Sequence, residues 1–329
     1  MNKIQLDPIK KLNKVIHTTQ ESMMKFQKLT YLLWIIYLGS TTFIIKAQTI
    51  HLGQFNIRYD NPSDRKTGNG WDVRSQKIVS LVRYEDWDLM GLQEVLHHQL
   101  IDLSKQLDEY AYVGIARGDG KSKGEYAPIF FKKEKLNVID NGTFWLSEQP
   151  NKAGSKGWDA ALPRICTWAH FEHLISGQHF WLFNLHLDHV GKQSREEATR
   201  LVIQQIQEKC GPDPYLLTGD FNFNQQDANY TYITDTGLLV DAYESARVRW
   251  AENGSFNGFN VHHKTDNRID FVFHSPHFVV DKYGVLTYIY WTEKPTEEKE
   301  NEKKREQKVF IPRVMSDHFP ISVKLEFPK

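Results

Sequence analysis

Two short segments of the chain end an apolar, strand-like run in acid, amide and imidazole side chains. They are Leu217–Asn222 (LTGDFN) and Ser316–Pro320 (SDHFP), which lie far apart in the sequence. Carboxylate and amide oxygens suit a hard cation such as Mg²⁺, and imidazole groups exchange protons near neutral pH. When such groups surround a phosphate, the cation that they bind can activate the phosphate for hydrolysis. The two segments therefore predict a metal-dependent phosphoesterase.

The same pattern recurs at four other residues. Asn56 and Glu94 each follow an apolar run, and His186 and Asp270 lie within apolar runs. Taken singly, Asn56 is typical of a turn at a strand end, and Glu94 of the first turn of a helix. Because unpaired carboxylates in apolar strands are costly, their recurrence indicates one shared metal-binding or hydrogen-bonded site.

The elements that must position these residues alternate between short strands and amphipathic helices. Helices are predicted at 71–84, 97–107 and 195–209. Strands are predicted at 49–58, 87–92, 110–115, 129–132, 136–143, 166–173, 179–187, 215–218, 269–273, 283–290 and 321–327. Many short strands with helices between them, and no internal repeat, predict one α/β domain with two packed sheets.

Composition narrows the classes of partner. Lys+Arg and Asp+Glu number 41 each, so the chain lacks the basic excess that is typical of proteins that hold long nucleic acids. A small or locally charged substrate is favoured instead. Cys166 and Cys210 are too few for a disulfide framework, and their spacing does not indicate a zinc site.

The first 47 residues differ from the remainder. A polar extension and a basic stretch containing Lys25 precede an apolar run at 29–45, which ends just before Ala47. This order predicts a secretory signal peptide that is cleaved near Ala47, so that the mature domain, 48–329, is secreted or periplasmic with no stable membrane span. The alternative is an uncleaved N-terminal anchor, for which the apolar run has about the shortest length that spans a bilayer.

One charged segment interrupts the domain. Residues 292–308 (TEKPTEEKENEKKREQK) are almost wholly charged and have nothing to anchor them in a core. They predict a mobile loop between two strands. Because the segment precedes Ser316, it is also a candidate flap beside the site.

Six motifs in order carry a resemblance to a known family. QFNIRY, GLQEVL, NLHLDH, LTGDFN, RIDFVF and SDHFP follow one another from residue 49 to the C-terminus. This order resembles the endonuclease/exonuclease/phosphatase superfamily, with its deoxyribonuclease-I-like fold, and the segments FWLSE and WDAALPRICTW resemble its secreted bacterial members. The resemblance implies a four-layer α/β sandwich, in which two packed mixed β-sheets are flanked by helices and the site lies at one sheet edge.

The resemblance also implies a metal centre. Glu94 corresponds to the principal ligand of Mg²⁺, for which Mn²⁺ is a possible substitute. Asn56 corresponds to an amide that supports the ligand shell, and Asp317 to a further contributor. Arg58 departs from the pattern, because apurinic endonucleases tend to have an acidic residue at this position, which puts a second metal ligand in doubt.

Catalytic roles follow from the same resemblance. Asp220 would orient or deprotonate the attacking water, and Asn222 would hold a phosphate oxygen. His318 would hydrogen-bond to the phosphoryl group, with Asp270 fixing its tautomer.

Two further residues complete the implied site. His186 and Arg164 would bind the phosphate and neutralise the charge that grows on it. The turn Gly124–Pro128 either approaches this site or closes a hairpin. Asp188, beside His186, either assists the site or stabilises a loop.

Three hypotheses remain at this stage. The first is a secreted Mg²⁺-dependent phosphoesterase that hydrolyses a phosphomonoester or phosphodiester by in-line attack of water. The second is a secreted non-specific nuclease, and the third is a non-catalytic binding module of the same fold. The expected partner is a phosphorylated small molecule, a lipid or a nucleic acid, and no obligate protein partner is indicated.

Overall fold

The computed structural model describes residues 7–40, 48–293 and 308–327. Contacts divide the chain into two units, Met1–Lys46 and Ala47–Lys329. The first unit contains helix α1 (Pro8–Ser40). No helix among the described residues is both long and apolar enough to cross a membrane. The expected cleavage point at Ala47 lies outside the described residues, so the signal peptide stays a prediction.

The second unit contains the remaining helices and all the described strands. The helices are α2 (Pro62–Lys66), α3 (Trp71–Glu85), α4 (His97–Gln106), α5 (Lys192–Lys209), α6 (Ala228–Asp235) and α7 (Ala242–Ser245). The strands are β1 (Thr49–Asn56), β2 (Leu89–Gln93), β3 (Tyr110–Val113), β4 (Ile129–Lys132), β5 (Leu136–Trp145), β6 (Ile165–His173), β7 (Gln178–His186), β8 (Tyr215–Asp220), β9 (Val240–Asp241), β10 (Val248–Trp250), β11 (Asp270–His274), β12 (Val279–Val285), β13 (Tyr290–Glu293), β14 (Phe310–Arg313) and β15 (Ile321–Glu326).

The strands form two large mixed sheets and a small hairpin. The first sheet has the order β10-β12-β15-β1-β2-β4-β3, the second has the order β5-β6-β7-β8-β11-β9, and β13 pairs with β14. In the first sheet β1 is parallel to β2 and antiparallel to β15. In the second, β7 is parallel to β8 and antiparallel to β6. The expected pair of mixed sheets is confirmed.

The main apolar core lies between the two sheets, because its buried residues come from both. Its members include Leu52, Ile129 and Val323 from the first sheet and Phe171, Phe180 and Leu216 from the second. Burying such side chains stabilises the fold by about 1.5–3 kcal/mol each before entropy is counted.

Helices cover the outer face of each sheet. Val82 of α3 and Leu100 of α4 belong to a second core with Leu92 of the first sheet. On the other side, Val202 of α5 belongs to a third core with Phe183 of the second sheet. The order of layers is therefore helix, sheet, sheet, helix, and the expected four-layer sandwich is confirmed.

One predicted strand is wrong. The pattern at 283–290 predicts a single strand, whereas β12 ends at Val285 and a separate strand, β13, begins at Tyr290. The reason is that β13 leaves the large sheet and pairs with β14. Most of the charged segment predicted to be a mobile loop, 294–307, lies outside the described residues.

Candidate active site

Side chains that face the opposite sheet change from apolar to polar towards one edge of the sandwich. Because strand side chains alternate with a period of two, every second residue shares a face. This inward stripe consists of Ile50, Leu52, Gln54 and Asn56 on β1, and of Leu216, Thr218 and Asp220 on β8. The parallel pairs β1–β2 and β7–β8 end at this edge, where His186 lies opposite Asp220. The carboxyl ends of four strands therefore meet here.

A buried hydrogen-bonded network joins the two sheets beneath this edge. Gln54 and Gln93 exchange two hydrogen bonds of 2.8 Å, and Gln93 Nε2 donates to Asn184 Oδ1 at 2.6 Å. Thr218 Oγ1 donates to Gln54 Oε1 at 3.3 Å across the sheets. Buried polar groups need such partners, and a fully satisfied network holds the strand ends in one arrangement.

Three residues after strand ends adopt left-handed backbone conformations. Arg58 follows β1 with φ 60°, Glu94 follows β2 with φ 62°, and Asn222 follows β8 with φ 51°. Such conformations cost about 1–3 kcal/mol for non-glycine residues and cluster at functional sites. In Asn222 the turn is stabilised, because its backbone N–H donates to Asp220 Oδ1 at 3.0 Å. All three residues line the same cleft.

The cleft has a volume of about 530 Å³ and contains most of the residues predicted from the sequence. Of the predicted set, Asn56 and Asp270 are almost fully buried beneath its wall. The lining is formed by Arg58, Tyr59, Glu94, Arg117, Glu125, Leu162, Arg164, His186, His189, Asp220, Asn222, Phe256, Ile269, Asp317 and His318.

His318 is oriented by Asp270. Its Nδ1 lies 2.8 Å from Asp270 Oδ2, and the other oxygen of Asp270 accepts a hydrogen bond of 3.0 Å from Gln54 Nε2. Burial would lower the pKa of His318, but the carboxylates of Asp270 and Asp220 outweigh burial and raise it well above its usual value. The two carboxylates therefore favour the imidazolium form of His318, whose Nε2 lies 3.7 Å from Asp220 Oδ2.

Asp220 is a buried carboxylate of raised proton affinity. Burial, reinforced by the charge of Asp270, raises its pKa to about 7. Asn56 Nδ2 donates to Asp220 Oδ2 at 2.9 Å, and His186 Nε2 lies 3.5 Å from the same oxygen. A carboxylate with a pKa near the working pH can both accept and return a proton.

His186 differs from His318 in charge. Burial, together with the nearby guanidinium groups of Arg164 and Arg117, lowers the pKa of His186 well below its usual value. Burial and the two guanidinium groups therefore favour the neutral imidazole, which can donate or accept a hydrogen bond without adding positive charge to the cleft.

The oxygen-rich side of the cleft fits a hard divalent cation. Glu94 Oε1 accepts a hydrogen bond from Asn56 Nδ2 at 3.1 Å, and Glu94 Oε2 accepts one from Tyr59 N at 3.1 Å. Each oxygen keeps a further lone pair, and Asp220 and Asp317 line the same cleft. Asn56 presents its amide nitrogen to the carboxylates, since its oxygen accepts from Arg58 N at 3.0 Å. Its contacts are those of a residue that orients Glu94.

Asp317 makes an ion pair. Arg58 Nη1 lies 3.2 Å from Asp317 Oδ2 and 4.0 Å from Glu94 Oε2, while its Nε donates to Asp64 at 2.9 Å. Burial raises the pKa of Asp317, and the charges of His318 and then Arg58 oppose that rise. Arg58 occupies the position at which apurinic endonucleases tend to have an acidic residue. Its guanidinium offsets part of the negative charge of Glu94 and Asp317.

Arg164 is a buried cation with one unused donor. Its Nε lies 3.2 Å from Asp188 Oδ2, and its Nη2 lies 2.9 Å from His189 Nδ1. Its Nη1 is buried without a hydrogen-bond partner in the described part of the chain. An unpaired buried donor is costly, and a phosphate oxygen in the cleft would satisfy it. Asp188 also accepts backbone N–H groups from Ala161 and Gly191, so it stabilises the loops around Arg164.

Two cleft residues were not assigned to the site from the sequence: Arg117, and Glu125, whose turn was left open as approaching the site or closing a hairpin. They form a two-point ion pair, with Arg117 Nη1 2.7 Å from Glu125 Oε2 and Nη2 2.8 Å from Oε1. The turn that begins at Gly124 both closes a hairpin and approaches the site. No periodic pattern marks these residues, although the surrounding glycines mark the turn.

Comparisons with known proteins agree with this geometry. A sequence model of the Endonuclease/Exonuclease/phosphatase family matches residues 53–318. An endonuclease/exonuclease/phosphatase family protein from Bacteroides thetaiotaomicron is 42% identical, with a TM-score of 0.80 over 85% of this chain and 98% of that one. A mannosyl-6-phosphatase from the same organism is also 42% identical, with a TM-score of 0.78 over 84% of this chain and 100% of that one.

A more distant relative is a nuclease. The 3'-5'-exoribonuclease subunit of the CCR4-Not complex from Saccharomyces cerevisiae is 24% identical over 204 residues. That match covers 51% of this chain and 24% of the yeast protein.

Proposed function

The chain belongs to the endonuclease/exonuclease/phosphatase family and is a hydrolase of phosphoester bonds, and from that premise we propose that it is a Mg²⁺-dependent phosphomonoesterase acting on a phosphorylated sugar. The observation that carries the substrate class is the 42% identity to a mannosyl-6-phosphatase over that protein's whole length. Mn²⁺ is the expected substitute for Mg²⁺, because both prefer oxygen ligands.

Glu94 would hold the cation, with Asn56 orienting it and Asp317 nearby. When bound, Mg²⁺ neutralises charge on the phosphate oxygens and favours attack at phosphorus. The hard oxygen set around Glu94 supports this choice of metal.

Side chains of the protein carry out the proton transfers of the reaction. Asp220, whose pKa is raised to about 7, takes a proton from the attacking water while the oxygen of that water bonds to phosphorus. The bond from phosphorus to the sugar oxygen breaks, and protonated His318 supplies the proton that the departing oxygen needs. Asp270 accepts the Nδ1 proton of His318, so that the proton on Nε2 is the one transferred, as a carboxylate does for other catalytic imidazoles.

Three residues would hold the phosphate. Arg164 offers its unpaired Nη1, and His186 offers a neutral imidazole. The Nδ2 of Asn222 donates to Leu187 O at 3.0 Å, which fixes the amide at the rim of the cleft. Donors that are fixed before the reaction stabilise the transition state without reorganisation.

A nuclease is the second candidate, favoured by the similarity to the yeast exoribonuclease. Two observations weigh against it. The chain has 41 basic and 41 acidic residues, and the cleft carries Glu125 beside its phosphate-binding groups. Nucleic acids bind through basic surfaces that neutralise several phosphates.

A substrate panel tests the proposal. Purified protein with Mg²⁺ is given mannose 6-phosphate, p-nitrophenyl phosphate, bis-p-nitrophenyl phosphate, single-stranded DNA and RNA. We expect phosphate release from the monoesters with kcat/KM at least tenfold above any diester, and a loss of about 10³-fold or more in Asp220→Asn, because the base is gone. Faster cleavage of DNA or RNA than of any monoester would favour the nuclease instead.

We also propose that the protein is exported and cleaved near Ala47. The support is the order of basic and apolar residues before that position. Mass spectrometry of the protein recovered from the periplasm or medium of the native host should give an N-terminus at or near Gln48. Recovery of an uncleaved chain in the membrane fraction would establish the anchored alternative.

A further inference from the structure

We infer that Arg117 and Glu125 form a subsite that recognises the hydroxyl groups of the sugar and disfavours substrates with a second phosphate. The inference rests on the proposed phosphomonoesterase and assigns residues to its leaving group. It concerns two side chains that have no part in the chemical steps described above.

The pair is built into the cleft wall. Arg117 and Glu125 are joined at two points, and their side chains are 11% and 15% exposed, so each keeps one accessible edge. Both line the cleft that contains Asp220 and His318. Glu125 Oε2 lies 4.0 Å from His186 Nδ1, and His186 Nε2 lies 3.5 Å from Asp220 Oδ2. One imidazole ring therefore separates the pair from the proposed base.

The loop that carries the pair is fixed by other contacts. Arg117 N donates to Glu125 O at 2.9 Å, and Gly118 N donates to Lys123 O at 2.8 Å. Asp119 Oδ1 accepts three backbone N–H groups of the turn. Trp145 Nε1, from the end of β5 in the other sheet, donates to Arg117 O at 2.7 Å. Because these bonds already define the hairpin, the ion pair is available for another role.

The Arg117–Glu125 pair differs in its interactions from the other two arginines of the cleft. Arg58 is committed to Asp64 and Asp317, and Arg164 presents an unpaired donor. Arg117 and Glu125 together are neutral, yet each carboxylate oxygen keeps a lone pair and the guanidinium keeps a free N–H. A surface with donors and acceptors but no net charge matches hydroxyl groups. Because Glu125 already neutralises the Arg117 guanidinium, the pair offers a second phosphate no net positive charge.

The test compares two monoesters in one variant. In Glu125→Gln we expect kcat/KM for mannose 6-phosphate to fall about 10- to 100-fold, chiefly through KM, because hydrogen bonds to a charged group are lost. Hydrolysis of p-nitrophenyl phosphate, which has no hydroxyl groups, and inhibition by inorganic phosphate should stay within about threefold. Hydrolysis of a hexose bisphosphate should improve relative to mannose 6-phosphate.

Controls separate recognition from folding. Lys123→Gln makes a charge-to-amide change at an exposed position of the same hairpin and should leave both substrates unchanged. Glu125→Asp keeps the charge, but its shorter side chain moves the carboxylate away from the cleft. If Glu125→Gln does not fold, Glu125→Asp should show the same selective loss. Thermal melting identifies the folded variants.

Two results would overturn the inference. Equal losses on both monoesters would show that the pair only supports the cleft, and no loss on mannose 6-phosphate would show that it does not contact the sugar. Either leaves the phosphomonoesterase in place. If the wild-type protein hydrolyses neither monoester, the proposed function itself fails.

Discussion

Asp270 accepts one hydrogen bond on each carboxylate oxygen, from Gln54 and from His318, and it is 1% exposed. It therefore has no direct access to a substrate. Its action is confined to the charge and orientation of His318, whose pKa it raises. Asp270 is a positioning residue whose removal should affect catalysis more than binding.

The variant Asp270→Asn tests that role. The amide keeps the shape of the carboxylate but leaves His318 without its negative partner, so the pKa of His318 should fall. We expect kcat to drop about 10²- to 10⁴-fold while KM for mannose 6-phosphate changes little. NMR titration of the His318 imidazole measures the pKa directly. An unchanged His318 titration, or a loss seen only in KM, would contradict the assignment.

Individual residues differ in how far the sequence predicts them. Glu94, Asp220 and His318 stand at strand ends within motifs that can be found in the chain alone, and the structure brings them into one cleft. Their roles stay predictions. Arg117 and Glu125 could not be assigned, because their place in the cleft depends on how the hairpin pairs with the segment after β2, where Tyr126 bridges Val95.

At the scale of elements, the inward stripe of each strand carries more information than its end. On β7 the stripe changes from Phe180 and Leu182 to Asn184 and His186. A period-two pattern that turns polar halfway along a buried strand marks the residues beneath a site as well as those in it. Gln54 and Thr218 could have been found by this signal, since both continue apolar stripes.

Strand ends also fix the backbone geometry of the site. Arg58, Glu94 and Asn222 share a left-handed conformation one or two residues after the ends of β1, β2 and β8. The sequence does not predict it for Arg58 and Glu94, because these residue types usually avoid that region, whereas Asn222 is of a type enriched there. The conformation turns each chain sharply where the strand ends, which directs the side chain over the edge of the sheet. The hairpin of β13 and β14 was also missed, because a long charged segment separates its two strands in the sequence.

At the scale of the whole molecule, the sandwich explains how remote motifs meet. Among the apolar clusters of the described residues, one between the sheets and two beneath the helices hold the strands that carry the site. The fold class was predictable because six motifs in order resemble one family, and the family match spans residues 53–318. The substrate was not predictable, since related folds act on different phosphoesters.

The third hypothesis from the sequence, a non-catalytic binding module, is not supported. The chain belongs to a family of hydrolases, and the acid, amide and imidazole groups of all six motifs lie in or directly beneath one cleft. The central claim is thus that these groups form a cation-dependent centre for phosphoester hydrolysis.

The most direct test is phosphate release from mannose 6-phosphate by metal-depleted protein as Mg²⁺ is titrated back. Hydrolysis should be at background without metal and should return with a saturable dependence on Mg²⁺ or Mn²⁺. Glu94→Gln should need at least about tenfold more metal for half its activity, whereas Glu208→Gln, on the exposed face of α5, should match the wild type. Full hydrolysis by protein shown to be free of metal would contradict the account.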